Sequence, residues 1–145
     1  MTNTTKIAFQ LSTTDASARL GFEAWIDDHK FFETEHVELS QEIFVEIPDN
    51  DAEHELRFIL KNKTSEHTKI DKDGNIIKDA RLSISNLSFD EIQLGLLFSN
   101  ESVYMHSFND TVPETQNKFY GEMGCNGIVG LKFSTPVYLW LLEHM

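Results

Sequence analysis

A short acidic segment carries the side chains best suited to hold a metal ion. Its oxygen-bearing residues follow one another at intervals of two, two and four positions: Asp71, Asp73, Asn75 and Asp79. Calcium loops are built from oxygen ligands at alternate positions, so this spacing predicts a calcium site. The EF-hand pattern is incomplete, because Gly74 comes too early and the twelfth position, Leu82, is not Glu. A plain hairpin turn explains the same residues, since an Asp-Gly pair suits positive φ, and no other cofactor is predicted.

Three ring-bearing residues form a second group with binding chemistry. Trp25 is opposite in phase to its neighbours Phe22 and Ala24, so it is predicted to face away from the core and to offer a flat surface for a sugar. Tyr104 and His106 lie two positions apart on a predicted strand, which places them on one face as a second sugar-facing pair. The alternatives are that Trp25 packs in the core or against another subunit, and that Tyr104 and His106 form an ordinary surface ladder.

Patterns that would support catalysis are weak. Cys125 is the single cysteine, and the sequence places no base beside it, although a nucleophilic thiol requires one. There is no nucleophile-elbow motif and no phosphate-binding loop, and the six histidines do not have zinc-ligand spacing. Glu33 and Glu35 could flank a glycosidic bond, but among 24 acidic residues such pairs arise by chance. The sequence therefore predicts a protein that is not an enzyme.

The charge balance restricts the class of partner. The 145 residues include 12 Lys and Arg against 24 Asp and Glu, which gives a formal net charge of −12 at pH 7. This charge opposes binding to nucleic acid or to an anionic membrane surface. One cysteine permits no internal disulfide, and residues 1–6 lack the apolar core of a signal peptide. We expect synthesis in a cytoplasm, where the protein stays unless an assembly carries it out.

Alternating polarity predicts a chain made mostly of strands. Strands are predicted over residues 6–11, 20–26, 31–37, 41–47, 55–61, 81–92, 96–99, 103–108, 118–123 and 127–134, with a hairpin over 69–79. Residues 20–37 form a further predicted hairpin, with a helix over 16–27 as the competing interpretation. The apolar phase slips between Ile84 and Leu87, which predicts a bulge or bend near Asn86.

The C-terminal segment has a different pattern. Ser134 or Thr135 can cap a helix, and Pro136 suits its first turn. The apolar residues that follow predict a short helix, including Trp140, that packs on an edge or end of the sheets. The fold class is thus all-β: an antiparallel β-sandwich of jelly-roll type with a short C-terminal α-helix, forming a single domain over residues 1–145. The surfaces around Trp25 and this helix are where we expect a partner to bind.

Several stretches resemble known proteins in pattern. Residues 22–28 (FEAWIDD), 51–58 (DAEHELRF) and 87–92 (LSFDEI) are similar to strand-and-turn units of small carbohydrate-binding-module β-sandwiches. Residues 119–127 (FYGEMGCNG) and 140–145 (WLLEHM) are similar to uncharacterised small proteins of large, T4-like tailed phages of cyanobacteria. The resemblance covers most of the chain and includes no catalytic or ligand signature.

The resemblance implies a non-enzymatic protein of a phage particle, such as a capsid decoration or a neck or tail component. On this interpretation the partners are other protein subunits in a homo-oligomeric or virion assembly, and the location is the virion after synthesis in a host cytoplasm. The alternative is a carbohydrate-binding module that recognises a glycan through exposed aromatic residues, with or without calcium.

Overall fold

The structure, a computed structural model, describes residues 4–14, 20–37, 40–61, 68–70, 76–79, 81–106, 115–123 and 127–144. Its elements, in chain order, are β1 (Thr4–Thr13), β2 (Gly21–Ile26), β3 (His29–Thr34), β4 (Ser40–Pro48), β5 (Glu53–Lys61), β6 (Thr68–Ile70), β7 (Ile76–Asp79), β8 (Leu82–Phe89), β9 (Ile92–Gln93), α1 (Leu96–Glu101), β10 (Ser102–His106), β11 (Thr115–Lys118), β12 (Glu122–Met123), β13 (Gly127–Ser134) and α2 (Val137–His144). The predicted antiparallel sandwich of jelly-roll type with a short C-terminal helix is confirmed.

The strands of the described residues form two large sheets and one hairpin. The five-stranded sheet has the order β12-β8-β1-β4, with β9 paired to β8, and the six-stranded sheet has the order β11-β10-β13-β5-β2-β3. β6 and β7 pair only with each other within the described part of the chain. Neighbouring strands run antiparallel throughout.

One hydrophobic core joins the two large sheets. Alternate residues of β1 and β5 are buried because side chains in a strand point to opposite faces in turn. The ring of Phe9, from the five-stranded sheet, lies 4.8 Å from the ring of Phe58, from the six-stranded sheet. The ring of Phe22 on β2 lies 6.1 Å from the same Phe58 ring. Burial of these rings against one another holds the sheets face to face.

The predicted bulge near Asn86 is confirmed. Ala8 is opposite Ser88 and Gln10 is opposite Ser85, so β8 has one extra residue in this interval. Asn86 has a φ of 55°, which Asn tolerates better than most residues. The extra residue returns Leu87 to the buried face and leaves the next residue, Ser88, on the outer face of the five-stranded sheet.

The hairpin of residues 20–37 is also confirmed. β2 and β3 pair antiparallel, and Asp27 and Asp28 form the turn between them. The competing helix over 16–27 is wrong where the structure describes this range, because residues 21–26 are a strand. β2 lies between β3 and β5, where its alternate apolar residues reach the core.

Two predicted strands are wrong. Residues 96–99 belong to α1, since a helical turn places Phe98 in the core, with its ring 5.3 Å from that of Phe119. Residues 118–123 do not form one strand, because β11 ends at Lys118 in the six-stranded sheet and β12 begins at Glu122 in the five-stranded sheet. Phe119 is buried at this crossing, and Gly121 has the positive φ that the change of direction requires.

The predicted C-terminal helix is confirmed as α2. The ring of Trp140 lies 5.8 Å from Phe89 of the five-stranded sheet and 6.3 Å from Phe133 of the six-stranded sheet, so α2 closes one end of the sandwich. The Thr135 hydroxyl, predicted as a cap, instead donates to Asn50 Oδ1 at 3.1 Å. Among the described residues, no helix has the length and apolar character needed to cross a bilayer.

Candidate functional site

Four residues from four strands form a row across the outer face of the five-stranded sheet. In register, Gln93 of β9 is opposite Ser88 of β8, Ser88 is opposite Ala8 of β1, and Ala8 is opposite Phe44 of β4. The two central residues of the row are small, and the two outer ones are large. The face therefore dips in the middle, between an amide on one side and an aromatic ring on the other.

A depression of about 340 Å³ lies over this row. Ala8 and Ser88 are among its lining residues and occupy the centre of the row. Its wall is polar and consists of Lys6, Gln10, Glu42, Asn86, Glu91 and Gln93. Lys6 and Gln10 flank Ala8 along β1, and the bulge on β8 supplies Asn86. Small-molecule sites are concave and carry a few convergent polar groups on a mostly apolar lining, and this depression has the concave shape and the polar groups.

The hydroxyl of Ser88 is available to a ligand in this depression. Ser88 is only 7% exposed, yet its hydroxyl forms no hydrogen bond with the described residues. A hydroxyl without a protein partner can exchange its contact with water for a hydrogen bond to a ligand. The depression therefore presents a donor and acceptor at its base that a bound molecule can use.

Two amide side chains on one side of the depression are fixed by hydrogen bonds. Asn86 Nδ2 donates to Gln10 Oε1 at 3.1 Å, and Gln10 Nε2 donates to Ser40 Oγ. These contacts leave Asn86 Oδ1 without a partner from the described residues. The amides are thus oriented before any ligand arrives, which reduces the entropy that binding would otherwise lose.

Phe44 is an exposed aromatic residue beside the depression. It is 61% exposed and lies in the polar phase of β4, between Glu42 and Glu46. The Lys6 ammonium lies 5.0 Å from the centre of its ring, a cation–π contact that orients both side chains. An exposed ring adjoining fixed amides can bind a molecule that has one apolar face and hydroxyls at its edge.

Trp25 lies on the outer face of the six-stranded sheet, as its phase predicts. Its Nε1–H donates to Glu23 Oε1 at 3.0 Å, and the Lys30 ammonium lies 5.9 Å from the ring centre. The indole N–H, which is the polar edge of the ring, is therefore already engaged by Glu23. The predicted role of Trp25 in ligand binding stays a prediction.

The prediction that the Tyr104 side chain lies on the surface is wrong. It is 7% exposed, and its ring packs edge-on against Phe119 with centroids 5.9 Å apart, so it faces the core. The apolar residues on either side of it, Val103 and Met105, are the exposed ones. His106 ends β10 opposite Gly127, and its predicted binding role stays a prediction.

The predicted calcium loop lies mostly outside the described residues. Asp71, Asp73 and Asn75 are not described, and Asp79 ends β7 opposite Thr68. Within the described ranges, no group of three or more His, Cys, Asp or Glu is placed to hold a metal ion. Cys125 also lies outside them. Glu33, one of the two paired carboxylates, forms ion pairs with Lys61 at 2.6 Å and with Lys30 at 3.2 Å.

A polar cluster stabilises the β2–β3 turn. The Asp27 carboxylate contacts His54 Nδ1 at 2.7 Å and accepts a hydrogen bond from the Glu55 backbone N–H at 2.8 Å. Burial alone raises the pKa of Asp27, but the hydrogen bonds from His54 and Glu55 outweigh it, so the pKa lies below its ordinary value of 3.8. The ionised carboxylate is therefore favoured in the folded state.

This lowered pKa predicts a loss of stability in acid. Because the folded-state pKa is depressed, the contribution of Asp27 is present above the unfolded-state value and is lost as the pH falls through the folded-state pKa. We expect Asp27→Asn to lower the free energy of unfolding by about 0.5–1 kcal/mol at neutral pH, since solvent screens this half-exposed group. Urea unfolding at neutral and acid pH measures the difference, which should shrink in acid.

Asp28 provides a matched control for this prediction. It is the next residue of the same turn, and its side chain is fully exposed. We expect Asp28→Asn to change stability by less than Asp27→Asn at neutral pH. An equal loss for the two variants, or a loss for Asp27→Asn that does not vary with pH, contradicts the assignment.

The sequence contained one signal for the depression. Within residues 41–47 the buried phase is Ile43 and Ile47, and Phe44 is an aromatic residue in the opposite, acidic phase. An aromatic residue in the solvent phase of a strand is a reason to expect a binding surface. The other members of the row come from separate parts of the chain, and nothing in their local sequence brings them together.

Comparisons with known proteins give one structural similarity. No protein-family model matches the sequence, and no curated protein matches it. A solved structure described as vCBM60 in complex with galactobiose, a carbohydrate-binding module, has a similar fold with a TM-score of 0.51. The match covers 87% of this chain and 96% of that chain at 11% sequence identity. Similarity at this level of identity shows that the two chains share a fold.

Proposed function

We propose that this protein is a non-catalytic carbohydrate-binding module whose site is the depression on the outer face of the five-stranded sheet. The observation that carries the proposal is the Ser88 hydroxyl, which lines that depression and forms no hydrogen bond with the described residues. Exposed Phe44 stands at one end of the same row and Gln93 at the other.

The chemistry of a sugar matches these groups. A pyranose ring has an apolar C–H face, which stacks on an aromatic ring and removes apolar surface from water. Its hydroxyls are donors and acceptors, which the amides of Gln10 and Asn86 and the Ser88 hydroxyl can satisfy. A site that hydrogen-bonds hydroxyls also discriminates against molecules that lack them, because its polar groups are then left unpaired.

The structural similarity supports the proposal at the level of the fold. The similar solved structure contains galactobiose, so a sandwich of this architecture accommodates a saccharide in that protein. A non-catalytic role fits that neighbour, which is a carbohydrate-binding module. In this chain, the proposal rests on the depression rather than on the similarity, since folds host many functions.

Binding of the purified protein to a panel of neutral, amino and acidic oligosaccharides tests the proposal. We expect calorimetric binding of at least one class, and a loss of affinity in Ser88→Ala, because that hydroxyl then no longer meets the ligand. Ser85→Ala is the matched control, since Ser85 is an exposed residue of the same strand outside the depression. Absence of binding across the panel at millimolar ligand, with the protein folded, contradicts the proposal.

A second candidate is the structural subunit that the phage resemblance implies. The observation that favours it is an exposed apolar strip on α2, formed by Tyr138, Leu139 and Leu142. Exposed apolar patches commonly mark interaction sites, and identical subunits form symmetric assemblies. On this candidate, sedimentation shows concentration-dependent oligomers that Leu139→Ser with Leu142→Ser dissociates. A monomer at all concentrations contradicts it.

A further inference from the structure

The depression has an unbalanced negative charge. Glu42 and Glu91 both line it, and neither carboxylate forms an ion pair or hydrogen bond with the described residues. The lining cation is Lys6, whose ammonium lies over the Phe44 ring. Glu46, which is opposite Lys6 in register, adds a further exposed carboxylate on the same face.

The two lining carboxylates lie towards different ends of the depression. Glu42 is opposite Gln10 on β1, whereas Glu91 belongs to the turn that follows β8, next to Asp90, whose N–H donates to the Lys6 carbonyl oxygen. They therefore do not form a compact pair for one metal ion. Within the described residues, no group of three or more potential metal ligands occurs here or elsewhere.

We infer, on the basis of the proposed function, that the depression binds saccharides that carry a protonated amino group. An ammonium group is a three-way donor, and it can contact a free carboxylate or the unpaired Ser88 hydroxyl while the ring stacks on Phe44. An N-acetylated sugar lacks this charge. A uronic acid brings a carboxylate towards Glu42 and Glu91, in a protein whose formal net charge is −12.

The electrostatic field of the whole protein also favours a cationic saccharide over an anionic one. A net negative charge raises the local concentration of cationic ligands and lowers that of anionic ones, and dissolved salt screens both effects. The affinity for an amino oligosaccharide is therefore expected to fall as salt is added. The affinity for a neutral oligosaccharide of the same length is expected to stay nearly constant.

Calorimetry with three oligosaccharides of equal length tests the inference: a fully deacetylated glucosamine oligomer, its N-acetylated form and a uronic acid oligomer. We expect the affinity order amino, then acetylated, then uronic. Glu42→Gln and Glu91→Gln should each weaken amino-oligomer binding about two- to fivefold, the range of an exposed ion pair. Each variant should weaken binding of the acetylated oligomer less than binding of the amino oligomer, and Glu143→Gln on α2 is the control.

The outcomes separate the inference from the proposed function. Equal binding of the amino and acetylated oligomers overturns the inference but leaves carbohydrate binding in place. Amino-oligomer binding that neither Gln variant nor added salt weakens also overturns it, since the carboxylates then play no part. Absence of binding to the three oligomers and to every other oligosaccharide of the panel overturns both. The salt titration uses the unaltered protein, so it holds even where a variant is poorly folded.

Discussion

Phe58→Ala is expected to lower the free energy of unfolding by about 3–5 kcal/mol. Phe58 has no exposed surface, and its ring is central to the core. The rings of Phe9, Phe22 and Phe98 lie 4.8, 6.1 and 6.1 Å from it, which joins both large sheets and α1 at one residue. Truncation removes buried apolar surface and leaves a cavity between the sheets.

Chemical unfolding monitored by circular dichroism measures this loss. Because small domains have a total stability of about 5–15 kcal/mol, Phe58→Leu is a milder second variant that should remain folded. Phe44→Ala is the matched control, since it truncates an exposed Phe and should change stability by about 0.5 kcal/mol or less. A loss below about 1 kcal/mol for Phe58→Ala contradicts the description of the core.

Phe44→Ala is expected to weaken binding of the best oligosaccharide of the panel at least tenfold, or about 1.4 kcal/mol. The ring is the exposed apolar surface at one end of the row over Ala8 and Ser88, and its removal leaves the sugar face in contact with water. Aromatic residues commonly dominate the energetics of a binding site. Calorimetry of the variant, with its fold verified by circular dichroism, gives the result.

Two control variants define the location of the site. Tyr138→Ala removes a comparably exposed aromatic residue from α2, and we expect no change in affinity. Trp25→Ala tests the outer face of the six-stranded sheet, where the sequence predicted a sugar platform. If Trp25→Ala abolishes binding and Phe44→Ala does not, the site lies on that sheet and the assignment to the depression is wrong.

The sequence predicts the sandwich well where the strand faces differ clearly in polarity. Apolar and polar residues alternate regularly along β1 and β5. On β8, the break in this alternation near Asn86 is sufficient to predict the bulge. α1 was missed because a short apolar run is compatible with both a strand and a helix. The sequence predicts the wrong face for Tyr104 because its two neighbours, Val103 and Met105, are also apolar. Without alternation between polar and apolar residues, the sequence does not indicate which face of β10 is buried.

The depression could not be predicted because it depends on strand register. Ala8, Phe44, Ser88 and Gln93 meet only because β9, β8, β1 and β4 are neighbours in that order. Strand pairing between distant segments is a tertiary property, which local alternation does not specify. The exposed position of Phe44 on β4 indicates that the outer face of the sheet is a binding surface. It does not indicate which other residues form that surface.

The two function hypotheses from the sequence now have different support. The carbohydrate-binding alternative is supported by the depression, the unpaired Ser88 hydroxyl and a fold shared with a carbohydrate-binding module. A role in a phage particle stays a prediction, favoured by the apolar strip of α2. The two surfaces are built from different elements, so a protein that uses both is physically consistent.

Nuclear magnetic resonance mapping of a bound oligosaccharide tests the central claim most directly. Titration of the ¹⁵N-labelled protein with the best ligand of the panel reports which backbone amides change environment. We predict the largest shifts at Ala8, Phe44, Ser88 and Gln93, with little change around Trp25 or on α2. Largest shifts around Trp25, or along α2, with none over the depression, would contradict the account.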